Sequence, residues 1–164
     1  SQASRGEKEA FVVSGPGEYE IKGVFIKGLP SVSYYGGEKK INTIYTVNLE
    51  NMNLCFLGAL SEINIPNETK EAIDGVDILF VPVDSASDEG GGKSKGTLSA
   101  GEAYKFAVSL EPSIIIPMNY NEASLKAFVK EGGAEGLKPI DKLTIKKKDL
   151  EGKQLEVVLF ERGA

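Results

Sequence analysis

The 164-residue chain contains no histidine. That absence excludes His-based acid–base catalysis, Ser-His and Cys-His nucleophile systems, and the commonest zinc ligand. There is one cysteine, Cys55, so no internal disulfide forms, and a reducing, cytoplasmic setting is expected. Cys55 lies in the apolar run Leu54-Cys55-Phe56-Leu57, which suits a buried structural thiol rather than a nucleophile. No apolar stretch reaches membrane-spanning length, and no signal-peptide pattern is present. Positive charge is short too. Lys and Arg number 19 against 24 Asp and Glu, a net charge of −5, which excludes broad attraction to nucleic acid or an anionic membrane. The one basic cluster, Lys146-Lys147-Lys148, is followed by Asp149 and Glu151 and reads as a solvated strand end.

What remains suits one globular domain. Hydrophobic residues make up 41% and charged residues 26%, and the length is enough to bury a sizeable core. Residues 1–10 are mostly small, polar or charged and read as a disordered tail or expression remnant, with a single domain over 11–164.

The first part reads as β. A short strand is expected at 10–14 and a turn at Gly15-Pro16-Gly17. Residues 18–28 alternate around Tyr19, Ile21, Val24 and Ile26, with Gly23 at a bulge or bend. A loop or hairpin tip at 33–40 holds Tyr34 and Tyr35, which are expected to pack in the core or the hairpin, the alternative being an exposed binding surface. A β-branched strand follows at 41–50, a turn at 50–53, and a closing strand at 54–58.

The second part alternates helix and strand. A short helix after Pro66-Asn67 stops at Gly75. Residues 76–83 and 113–118 are nearly continuous apolar runs, the pattern of buried strands. Ser99 and Glu102 form a capping box before a helix burying Ala103, Phe106, Ala107 and Leu110. Asn121 caps another helix, burying Leu125, Phe128 and Val129. Residues 141–148 and 154–160 read as a final hairpin. The whole is α/β, a mixed sheet with helices on at least one face.

Two candidate sites sit in the long loop 84–97. Gly90 to Ser94 suggests a phosphate loop, but position 87 is Ser and the helix signal waits until Ser99, so a surface loop is the plainer reading. Asp84, Asp88 and Glu89 are candidates for a hard cation, at a spacing that matches no calcium loop. Asp74 and Asp77 flank a helix-to-strand turn and read as turn formers.

Four ordered segments carry a resemblance. They are residues 15–29 (GPGEYEIKGVFIKGL), 42–60 (NTIYTVNLENMNLCFLGAL), 75–83 (GVDILFVPV) and 99–120 (SAGEAYKFAVSLEPSIIIPMNY). Together they resemble the metallo-β-lactamase superfamily, in the branch of small bacterial metal-dependent hydrolases similar to ascorbate-phosphate lactonases. The resemblance implies an αββα sandwich, of which this chain matches the C-terminal portion, with Zn, Mn or Fe in active relatives. It also implies metal ligands at three positions that here hold Phe56, Ala59 and Asn119, where relatives carry His, Asp and His. The family's His-x-His-x-Asp-His motif would lie upstream of Gly15, and this chain has none. An artificial boundary, a cleavage or a true truncation would account for that, but not for the three substitutions. The expectation is therefore a degenerate, non-catalytic protein without cofactor, acting as a binding or assembly module. A homo-oligomer, or a partner protein covering the sheet, is expected. The alternative is a lactone or phosphodiester hydrolase. Its metal-binding half would lie outside this chain, or it would use Asp84, Asp88 and Glu89.

Overall fold

Two tight turns set the register of the first four strands. In the computed structural model, which describes residues 10–83 and 96–161, Lys22 and Gly23 both have positive φ (50° and 79°). Paired left-handed residues make the two-residue turn that matches strand twist. They join β1 (Gly17–Ile21) to β2 (Val24–Ser33), with Ile21 opposite Val24. Gly23 is therefore a hairpin turn, not a bulge inside one strand. Glu50 and Asn51 (51° and 63°) repeat the device between β3 (Lys40–Leu49) and β4 (Met52–Phe56). The expected four-residue turn shrinks to two, and Met52 and Asn53 join the strand.

After β4 the pairing becomes parallel. Helix α1 (Asn67–Ile73) leads to β5 (Ile78–Pro82), α2 (Ala100–Leu110) to β6 (Ile114–Met118), and α3 (Glu122–Glu131) toward β7 (Glu156–Val157). The seven strands of the described residues lie side by side in chain order. Parallel crossovers are right-handed, so an order that never reverses puts successive helices on one face.

Both faces of the central strands are buried. Leu79, Val81 and Ile115 face the helices, packing with Ala103, Phe106, Ala107 and Phe128. Ile78, Ile114 and Ile116 face the other way, with Met52 and Leu150. This explains the continuous apolar runs, since a strand covered on both sides cannot alternate. The helix starts match their sequence signals: Ser99 with Glu102 and Asn121 with Ser124 each make reciprocal caps.

Two expected elements are absent. Residues 10–14 form no strand, because no neighbour pairs with them, and Phe11 and Val12 are 67% and 77% exposed. The final hairpin does not form either. Residues 147–150 make a 3-10 turn, β7 pairs in parallel with β6, and Ile140 bridges Phe160 in parallel. Leu143, Ile145, Val158 and Phe160 instead pack on the second face, beside Ile78 and Ile114. Burial on an apolar sheet satisfies the same alternation that a hairpin would.

Over β1–β4 the second face stays partly open. Tyr19, Ile21, Val24, Ile26, Tyr45, Val47, Leu54 and Phe56 are half-buried there, and Leu49 is 38% exposed. The chain before β1 crosses this face at Gly28, where a Cβ would stand 2.5 Å from the Gly15 carbonyl oxygen. The Gly15 N–H donates to the Tyr45 hydroxyl at 2.8 Å.

Candidate functional site

In open α/β sheets, ligands bind beyond the carboxyl ends of the parallel strands. Here those ends are Phe56, Pro82 and Met118, and the positions assigned by resemblance fall at or just past two of them.

Phe56 closes β4. Its ring stacks on Phe80 of β5, with centroids 4.2 Å apart and planes 12° apart. Registry brings the two rings together, since Phe56 and Phe80 are direct neighbours on one face. The chain then turns at Gly58, whose φ is +63° and where a Cβ would lie 2.6 Å from Asn42 Oδ1. Only glycine fits both constraints.

Ala59 is held by Asn42. The Ala59 N–H donates to Asn42 Oδ1 at 2.9 Å, while Asn42 Nδ2 donates to Leu57 O at 2.9 Å and Ser31 Oγ at 2.8 Å. Ser61 extends the tie, accepting the Tyr34 N–H at 2.9 Å and donating to Gly96 O at 2.6 Å. The loop over 57–61 is thus fastened to β3, to the β2–β3 tip and to the segment before α2. Sequence reading misses Asn42. Its one signal is its place at the start of a β-branched strand, where asparagine is disfavoured unless its side chain has partners.

Asn119 follows β6 with φ 54° and an exposed side chain. Asparagine tolerates this left-handed geometry better than most residues. As a ligand set the three positions are poor. Phenyl and methyl offer no donor atom, and the carboxamide offers one weak oxygen, so they do not fit Zn, Mn or Fe.

The other candidates scatter. Asp84, Asp88, Glu89 and the Gly90–Ser94 stretch lie outside the described residues. Among the described residues no three of His, Cys, Asp and Glu gather where a metal could be held. Asp77 lies before β5, at the opposite end of the sheet. It accepts the Asn53 N–H at 2.8 Å and both its oxygens lie 2.9 Å from Lys147 Nζ. It is a fastener, and Lys147 of the basic cluster is its partner. Asp74 is the exposed C-cap of α1. Tyr35 is 56% exposed at the hairpin tip, while Tyr34 is half-buried. Burial pushes the Cys55 thiol up to about 12, so no thiolate nucleophile exists at neutral pH. Among the described residues no helix is long and apolar enough to cross a membrane.

Comparison with known proteins accords with the geometry. The family model for the beta-lactamase superfamily domain matches residues 2–119. A Thermotoga maritima structure, assigned to the Zn-dependent hydrolases of the metallo-β-lactamase superfamily, is 25% identical with a TM-score of 0.65. That match covers 92% of this chain and 71% of the other. Igni18, a metallo hydrolase from Ignicoccus hospitalis, aligns at 15% identity and a TM-score of 0.54, over 94% of this chain and 58% of its own. YhfI of Bacillus subtilis, a metallo-β-lactamase fold protein, aligns at 12% and 0.52, over 75% of this chain and 49% of its own. No curated protein matches. The family match spans most of the chain and the strand order fits the fold, so the chain belongs to the beta-lactamase superfamily domain family, within the metallo-β-lactamase superfamily.

Proposed function

We propose that this chain is a catalytically silent member of its family and acts as a binding or assembly module in a reducing, cytoplasmic compartment. The observation that carries the reading is the chemistry at the strand ends. Phe56, Ala59 and Asn119 supply one weak donor between them, in a chain with no histidine. The Phe56–Phe80 stack and the Asn42 tie to Ala59 also support it. An empty cleft lined by His and Asp would leave polar groups without partners, whereas a phenyl stack and a bonded amide leave none.

The surface offered for assembly is the open second face over β1–β4. Another apolar sheet would pack against it, from a second copy or from a partner chain that covers the sheet.

Three measurements test this. Elemental analysis after dialysis against Zn, Mn and Fe is expected to find far less than one metal per chain; one or two per chain overturns it. Hydrolysis of a lactone or phosphodiester that is lost on Asp84→Ala also overturns it, and favours a carboxylate site at Asp84, Asp88 and Glu89. Sedimentation is expected to show self-association or, with a partner, a hetero-complex. A monodisperse monomer at high concentration sinks the self-assembly part.

A further inference from the structure

Among the described residues, strand β1 is an edge of the sheet. Its hairpin to β2 closes through a two-residue turn, so Ile21 and Val24 are a hydrogen-bonded pair. Alternation makes Tyr19–Ile26 and Gly17–Gly28 the next such pairs. Glu18 and Glu20 fall between them. Their N–H and C=O groups point away from β2, and no other strand among the described residues takes them.

The side chains divide by face. Glu18 and Glu20 lie on the side of their register partners Lys27 and Phe25, and both glutamates are exposed. Tyr19 and Ile21 lie on the opposite side, half-buried. A strand added here would therefore meet four backbone groups that no described strand pairs, an acidic row on one side and an apolar row on the other.

We infer that β1 accepts an extended, basic strand from a partner protein. That strand carries Lys or Arg at alternate positions beside Glu18 and Glu20, with apolar residues between them beside Tyr19 and Ile21. Charge selects this occupant. Lys27, one strand inward, already stands 3.7 Å from Glu18, which is the pairing that a basic neighbour on the outer side would repeat. A second copy of β1 is the wrong occupant: antiparallel it sets glutamate beside glutamate, and parallel it sets glutamate beside Tyr19 or Ile21, so neither direction supplies a cation. The inference rests on the binding-module reading but uses an edge rather than the open face, so each fails separately.

The test is a titration of the full chain with acetyl-Val-Lys-Val-Lys-Val-amide, followed by amide NMR and hydrogen exchange. The Glu18 and Glu20 amides are expected to shift, and their exchange to slow by about tenfold at saturation. The Val-Glu-Val-Glu-Val counterpart is expected to do neither. Glu20→Pro removes an N–H that β2 does not use, so it leaves the sheet intact and abolishes the effect. The double variant Glu18→Lys/Glu20→Lys loses it as well, and decides the matter if Glu20→Pro fails to fold. No shift at millimolar basic peptide, equal binding of the acidic peptide, or wild-type binding by either variant overturns the proposal. In the first case the glutamates serve to block edge pairing instead.

Discussion

Asn42 and Ala59, 17 residues apart, are joined by a 2.9 Å hydrogen bond from the Ala59 N–H to the Asn42 carboxamide oxygen. Through it a side chain of β3 fixes the loop that leaves β4. Replacing Asn42 by Ala frees the Ala59 N–H and the Leu57 carbonyl together. The expected loss is about 2–4 kcal/mol in urea unfolding, one unsatisfied buried group at a time. Asn42→Asp keeps the acceptor and loses the donor, so it should cost less than Asn42→Ala.

Gly58→Ala should be costly for two reasons that add. The backbone is left-handed, and the new methyl would meet Asn42 Oδ1 at 2.6 Å. A loss of about 2 kcal/mol or more is expected. The double variant Gly58→Ala/Asn42→Ala should lose less than the sum, since the clash disappears with the carboxamide. Strict additivity in that cycle would show that the contact carries no energy.

The three altered positions can be tested by restoring donors. Phe56→His, Ala59→Asp and Asn119→His together should give a chain that binds zinc more tightly than wild type by calorimetry. Phe56→His alone should cost about 1 kcal/mol through the lost stack on Phe80. No zinc heat from the triple variant, in a chain that still folds, would mean that the strand ends do not converge as a ligand set.

Cys55 reports on opening. Its folded-state thiol is raised from 9.0 to about 12 by burial. The unfolded chain ionises first, so stability is unaffected below pH 9 and falls as pH rises from 9 toward 12. The slope should approach 1.4 kcal/mol per pH unit, roughly one proton released on unfolding. Cys55→Ala should flatten that slope. Labelling of Cys55 by a thiol reagent at pH 8 should run at the rate of unfolding rather than at the rate of an exposed thiol.

Asp77→Ala should loosen the C-terminal segment. It removes the acceptor of the Asn53 N–H and the partner of Lys147. The lysine is half exposed, so the ion pair itself contributes little, and most of an expected loss of about 1–2 kcal/mol comes from the amide. Hydrogen exchange should rise at 143–150. Lys147→Met, which leaves the amide satisfied, should have a smaller effect.

The sequence makes some of this legible and hides the rest for physical reasons. The runs at 76–83 and 113–118 announce strands buried on both faces, and the caps at Ser99 and Asn121 announce helix starts, because each signal is local. The same alternation at 141–148 promises a hairpin and is spent on burial against Ile78 and Ile114 instead. Alternation states that one side is apolar, not what covers it. At the strand ends, the identities of Phe56, Ala59 and Asn119 are plain in the sequence. The Phe56–Phe80 stack and the Asn42 tie are not, since each joins residues distant along the chain that only the register brings side by side.

The strand order has a consequence for how the molecule is made. Because each strand lies beside its predecessor, every new strand leaving the ribosome meets a neighbour already in place, and no earlier pairing has to open to admit it. Hairpins β1–β2 and β3–β4 close through two-residue turns, the quickest contacts to form. Assembly can then run in one direction, with the edge beyond β6 the last to be filled.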